Sequence, residues 1–99
     1  MIKTFVVRAK VWLYPGDTPW HFVSIPKKTR EKIDFFFGHS KRGWGSLPVL
    51  ATIGKTTWKT SIFPDKKSDS YLLPLKAKVR KQETIKAGDT INFSLKIED

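Results

Sequence analysis

Apolar and polar residues alternate most regularly at the two ends of the chain. From Thr4 to Tyr14, Phe5, Val7, Ala9, Val11 and Leu13 fall on one face of an extended segment, while Val6, Arg8, Lys10, Trp12 and Tyr14 fall on the other. Near the C-terminus Ile91, Phe93, Leu95 and Ile97 alternate with Asn92, Ser94 and Lys96. A period of two puts every second side chain on the same side of a pleat, so both segments read as strands with one face in a core. Between them Trp20 and Phe22 oppose His21, Val23 and Ile25, and Tyr71-Leu72-Leu73 runs extended into Pro74. Val49, Ala51 and Ile53 lead through Gly54-Lys55 into a segment where Trp58, Thr60 and Ile62 oppose Thr57, Lys59 and Ser61, the pattern of a β-hairpin. The second face of the first strand mixes charge with large aromatics. It is either covered at one end by helices or exposed as a binding surface.

Two prolines mark where strands give way to helices. Proline lacks an N–H and forces the preceding residue into extended geometry, so a strand can stop there and a first helical turn can begin. After Pro26, Ile33, Phe36 and Phe37 form an apolar stripe against Lys27, Lys28, Arg30, Glu31 and Lys32, and Gly38 is placed for a left-handed cap. After Pro74, Leu75 and Val79 share a face under Lys76, Lys78, Arg80 and Lys81, with Arg80 in reach of Asp89 or Glu83, and Ile85 returns to the core. Lys86-Ala87-Gly88-Asp89 reads as a turn, with glycine supplying a positive φ and the aspartate accepting backbone N–H bonds. Asp65 to Ser70 is the longest polar stretch and reads as a solvated loop. The expected fold is mainly β. It is a small closed antiparallel barrel of six to seven strands with helices near 27–37 and 75–82, in one domain spanning residues 1–99. The segments Ile25-Pro26…Arg30…Ile33 and Leu73-Pro74…Arg80…Ile85 read as degenerate copies of one strand-proline-helix unit, pointing to two fused halves.

Several motifs resemble a known family. The run L-P-L-x-x-x-V-R-x-x-x-x-I-x-x-G-D-T-I, with the earlier W-H-F-V-S-I-P and A-T-I-G-K-T-T-W-K-T-S-I-F-P, looks like the bacterial family called Domain of Unknown Function 1905. The P…R…I…GD pattern alone is also similar to the AbrB and MazE swapped-hairpin transcription factors and antitoxins. The resemblance implies a small closed barrel of the AbrB-like, double-split type, and no activity.

Composition narrows the function classes. The absence of cysteine excludes disulfides, thiolate zinc sites and a thiol nucleophile. No apolar run approaches the ~18 residues of a membrane span, so no membrane partner and a cytoplasmic location are expected. The net charge of +10 favours anionic partners, and it also serves solubility. The acidic residues fall at turns, on helix surfaces or at the terminus, and His21 and His39 lack ligand spacing, so neither an enzyme, a metal nor a cofactor is expected.

Two function classes remain. The first is a non-enzymatic binding module whose barrel mouth, lined by Trp20, His21, Arg42, Trp44 and Trp58, holds a small anionic or aromatic ligand or a partner peptide. The alternative is nucleic-acid binding through Lys41, Arg42, Trp44, Lys76, Lys78, Arg80 and Lys81, where cations would meet phosphates and Trp44 would stack on a base. The plain reading of the same residues is a glycine-shaped turn around Trp44 and a solvated helix face. The AbrB-like relatives read DNA as dimers, whereas a chain holding both half-barrels is expected to be a monomer.

Overall fold

The computed structural model of the protein describes residues 1–17 and 19–99. Six strands form, in chain order, β1 (Ile2–Leu13), β2 (His21–Ile25), β3 (Leu47–Ile53), β4 (Thr56–Asp65), β5 (Ser70–Pro74) and β6 (Thr90–Glu98). Helix α1 (Lys27–Phe37) follows β2, and α2 (Ala77–Glu83) follows β5. The strands close into a barrel in the order β1-β2-β5-β4-β3-β6, and every neighbouring pair is antiparallel. Closure leaves no sheet edge free, which removes the usual route to strand-to-strand aggregation.

The alternation read from the sequence places the core. Val7, Val11, Val23, Ile25, Val49, Ala51, Ile53, Phe93, Leu95 and Ile97 all point inward and are buried. Leu13, expected on the same face, is half exposed because β1 overruns the barrel rim by its last residues. Each buried aliphatic or phenyl group contributes on the order of 1.5–3 kcal/mol relative to exposure.

The topology is unchanged when the halves are exchanged, with β1 taking the place of β4, β2 of β5, α1 of α2 and β3 of β6. The registers follow the same rule. β1 pairs with β6 over Ile2–Lys10 and then with β2 over Val11–Leu13; β4 pairs with β3 over Thr56–Ile62 and then with β5 over Phe63–Asp65. This pseudo-two-fold arrangement agrees with the repeated strand-proline-helix unit. It also puts the helices at opposite ends of the barrel. α1 leaves the end where β2 and β6 stop and buries Ile33 and Phe37 there; α2 leaves the end where β1 and β5 stop and buries Val79 there.

Several local expectations are corrected. Gly38 is right-handed at φ −56°, because the chain continues through a 3-10 turn, Gly38–Ser40, before leaving α1. The second helix starts at Ala77, two residues late, since Leu75 is still tied to β2 by its N–H bond to His21 O at 2.9 Å. Arg80 bridges neither Asp89 nor Glu83; its Nε donates to Leu75 O at 3.1 Å. The polar loop is shorter than expected, because Asp65 closes β4 and Ser70 opens β5 as a buried residue. Asp89 does accept the Lys86 N–H at 3.0 Å, and Gly88 holds φ +96° in that turn. Among the described residues no helix is long and apolar enough to cross a membrane.

Candidate functional site

The barrel end capped by α2 carries a cleft of about 340 Å³. Its walls come from elements that backbone hydrogen bonds lock together. Tyr14 N–H donates to Trp20 O at 2.8 Å, which closes the β1–β2 connection, and Leu75 N–H donates to His21 O at 2.9 Å, which ties the end of β5 to the start of β2. Leu75 then accepts the Arg80 Nε–H, so one residue fixes both the end of the strand and the arginine of α2. The Nδ1 of His21 lies 2.9 Å from Pro19 O; a carbonyl only accepts, so Nδ1 carries the hydrogen and the ring is held at the rim.

Trp20, His21, Trp58 and Leu75 supply the apolar lining, and Lys59, Lys76 and Arg80 the charge. Among the described residues no carboxylate lines this cleft, and Lys59, Lys76 and Arg80 form no ion pair. Trp58 is nearly buried, whereas Trp20 is 53% exposed. Trp20 is held by a cluster on the outer face of β1 and β2: its ring lies parallel to Phe22 at 6.2 Å and 8°, and Phe22 packs on Trp12 at 5.4 Å. Trp12 Nε1 in turn donates to Ser24 Oγ at 3.0 Å. The second face of β1 is exposed at Val6, Arg8, Lys10 and Tyr14 and half-buried at Trp12, and its aromatics brace the tryptophan of the cleft through Phe22.

The structure brings together Trp20, His21 and Trp58 of the expected mouth and separates the other two. Arg42 lies at the α1 end beside Ser40, Leu47 and Asp99. Trp44 is 95% exposed, at φ +65° within a short turn. The separation follows from topology, since the segment after α1 cannot reach the rim that α2 covers. The cations named for nucleic acid are divided in the same way. Lys41 and Arg42 sit at one end of a molecule 33 Å in its longest dimension, and Lys76, Lys78, Arg80 and Lys81 at the other. Lys41 is already engaged, 3.3 Å from Asp34 Oδ1 and 5.5 Å over the Tyr71 ring.

The sequence pattern marks Lys59 as a strand-face position and Leu75 as a core position and neither as lining, although for Leu75 a signal exists. Pro74 ends β5 at the rim, so the residues just after it must border whatever opens there.

At the α1 end charged and polar groups converge on Asp34, although the buried Arg30 Nε finds no hydrogen-bond partner among the described residues. Asp34 accepts from Tyr71 Oη at 2.5 Å and Arg30 Nη1 at 2.9 Å. Burial works to raise its carboxyl, but the bonds from Tyr71, Lys41 and Arg30 and the charge of Lys41 outweigh that and hold it below the usual aspartate value. A carboxylate with three donors is a poor base, so this cluster fastens α1 to β5.

No curated protein matches the chain. The family model described as domain of unknown function DUF1905 matches residues 8–95, which takes in the barrel from β1 to β6 and both helices, and the chain belongs to that family.

Proposed function

We propose that this domain is a non-enzymatic binding module that holds a small, flat anion, an aromatic carboxylate or phosphate, in the cleft under α2. The observation that carries this reading is Arg80. Its Nε is held by Leu75 O, it lines one cleft with Trp20 and Trp58, and it has no carboxylate partner among the described residues. A guanidinium fixed at one nitrogen keeps its remaining donors for a carboxylate or phosphate, and this preorganisation lowers the entropy lost on binding. The cleft volume of about 340 Å³ lies within the ~300–1,000 Å³ of small-molecule sites, and its lining of aromatics with a few placed polar groups is the usual composition. The division of the cations between opposite barrel ends disfavours a nucleic-acid groove tracking through the 41–44 loop and α2 together.

The test is a calorimetric titration of indole-3-acetate and benzoate into wild type, Arg80→Lys and Arg80→Ala. Saturable binding is expected, weakened roughly tenfold or more in Arg80→Ala and partly kept in Arg80→Lys, since a lost charged hydrogen bond costs ~1.5–3 kcal/mol. Equal binding by all three proteins, or none by wild type, would overturn the reading.

A further inference from the structure

A second cleft of similar size, about 340 Å³, opens on the far side of Trp58. The two share Trp58 and Lys76 as a common wall, but the second is polar, and Lys55, Thr57, Lys78 and Gln82 face it. Lys55 is presented by the β3–β4 turn, where Gly54 sits at φ +57° and a Cβ would collide with the Glu83 carboxylate. That carboxylate accepts the Thr56 hydroxyl at 2.6 Å and lines neither cleft. Lys55, Lys76 and Lys78 form no ion pair among the described residues. With Lys59 and Arg80 of the first cleft, five cations line the two adjoining hollows and none is ion-paired among the described residues, which concentrates positive potential there.

We infer that the two clefts form one bipartite site for a nucleoside phosphate, with the base against Trp20 and Trp58, the proximal phosphate at Arg80 and the distal phosphate among Lys55, Lys76 and Lys78. This rests on the reading of the tryptophan cleft given above and extends it. An aromatic monoanion would satisfy Trp20, Trp58 and Arg80 but leave Lys55 and Lys78 unmatched. A ligand that answers both hollows needs a flat aromatic head, a linker that passes the wall formed by Trp58 and Lys76, and a multiply charged tail. A nucleotide has these three parts in this order. Lysine binds phosphate as a compact point charge, and aromatic side chains stack on any base, so the site discriminates weakly between bases. A free nucleoside diphosphate and a single nucleotide within a strand share this chemistry.

The experiment is a set of calorimetric titrations at about 50 mM salt, where phosphate contacts are little screened. The probes are adenosine, ADP, indole-3-acetate and a short oligothymidylate, and the proteins are wild type, Trp20→Ala, Lys55→Ala with Lys78→Ala, and Lys55→Gln with Lys78→Gln. ADP is expected to bind roughly tenfold or more tightly than adenosine, a difference of about 1.4 kcal/mol. Both lysine double variants should remove most of that gain and leave indole-3-acetate unchanged, and Trp20→Ala should weaken ADP and indole-3-acetate alike. Equal affinities for ADP and adenosine, or lysine variants that bind ADP as wild type does, overturn the bipartite site while Arg80-dependent indole-3-acetate binding keeps the simpler reading. Failure of every aromatic anion overturns both. If the inference holds, an oligothymidylate that competes with ADP and binds more tightly identifies a strand as the source, and the reverse order identifies the free nucleotide.

Discussion

Tyr71→Phe is the sharpest probe of the α1 end, because its effect must depend on pH in a direction that the structure dictates. Tyr71 is 1% exposed and its hydroxyl donates to the Asp34 carboxylate at 2.5 Å. Phenylalanine keeps the ring and removes one hydrogen bond to a charged acceptor. The loss at neutral pH should be about 1–2 kcal/mol, at the low end for a charged bond because Lys41 and Arg30 still hold Asp34. For a domain of this size that is a fall of roughly 4–16 °C in Tm. Burial first, then the bond and charge of Asp34, push the Tyr71 hydroxyl far above its ordinary pKa of 10.0, with only Arg30 opposing. A folded pKa above the unfolded one means that the associated stability is complete below pH 10 and is lost as pH rises towards the folded value. One unit above the unfolded pKa the wild type should have lost roughly 1.4 kcal/mol that the phenylalanine variant never had. Urea titrations of both proteins at pH 8 and pH 11, followed by tryptophan fluorescence, read this directly. The gap should close or reverse at pH 11, and exposed Tyr14 and the lysines cancel because both proteins carry them. A gap of equal size at both values would refute the argument.

The remaining predictions concern the core, the hairpin turn and the acid limb. Phe93→Ala and Ile53→Ala should each cost ~2–5 kcal/mol in denaturant titrations, while Lys66→Ala and Lys67→Ala should stay within ~0.5 kcal/mol; similar midpoints for the two sets would show that the barrel faces are misassigned. Gly54→Ala should lose about 1–2 kcal/mol, since alanine at φ +57° is strained and its Cβ displaces the Glu83 carboxylate from Thr56; an unchanged midpoint would count against that contact. Asp34 is held below the ordinary aspartate value of 3.8, so its contribution is present above that pH and lost as pH falls through the lower folded value. Asp34→Asn should therefore flatten the acid limb of a stability-against-pH curve measured by circular dichroism, and an unaltered limb would contradict it. Trp44→Ala should leave both stability, within ~0.5 kcal/mol, and cleft binding unchanged, because Trp44 is 95% exposed at the opposite end; weakened ligand binding would show that the two ends communicate.

Most of the fold was legible as pattern. Alternation in β1, β3, β4 and β6 identified the inward residues, and Pro26 and Pro74 placed both strand-to-helix boundaries within two residues. The errors fell at positions where tertiary contact overrides a local rule. Gly38 stayed right-handed because a 3-10 turn continues the helix, and Ser70 is buried because β5 begins one residue earlier than the polar run implies. Arg80 met Leu75 O and not either carboxylate because that carbonyl lies five residues back, where the chain passes from β5 into α2.

The candidate site divides along the same line. The residue types came from the sequence: tryptophans, a rim histidine and an excess of cations, in a chain with a net charge of +10. Which of them meet was decided by barrel closure alone. Pairing β2 with β5 and β4 with β5 brings Trp20, Trp58 and Arg80 to one rim across as many as sixty residues of chain, as roughly estimated from their numbers. The pseudo-two-fold arrangement sends Arg42 and Trp44 to the other rim, although they lie nearer to Trp20 along the chain than Arg80 does. Periodicity reports only which side of its own strand a residue faces. The rim at which it lands depends on strand order and direction around the barrel, which are properties of long-range pairing and not of any local stretch.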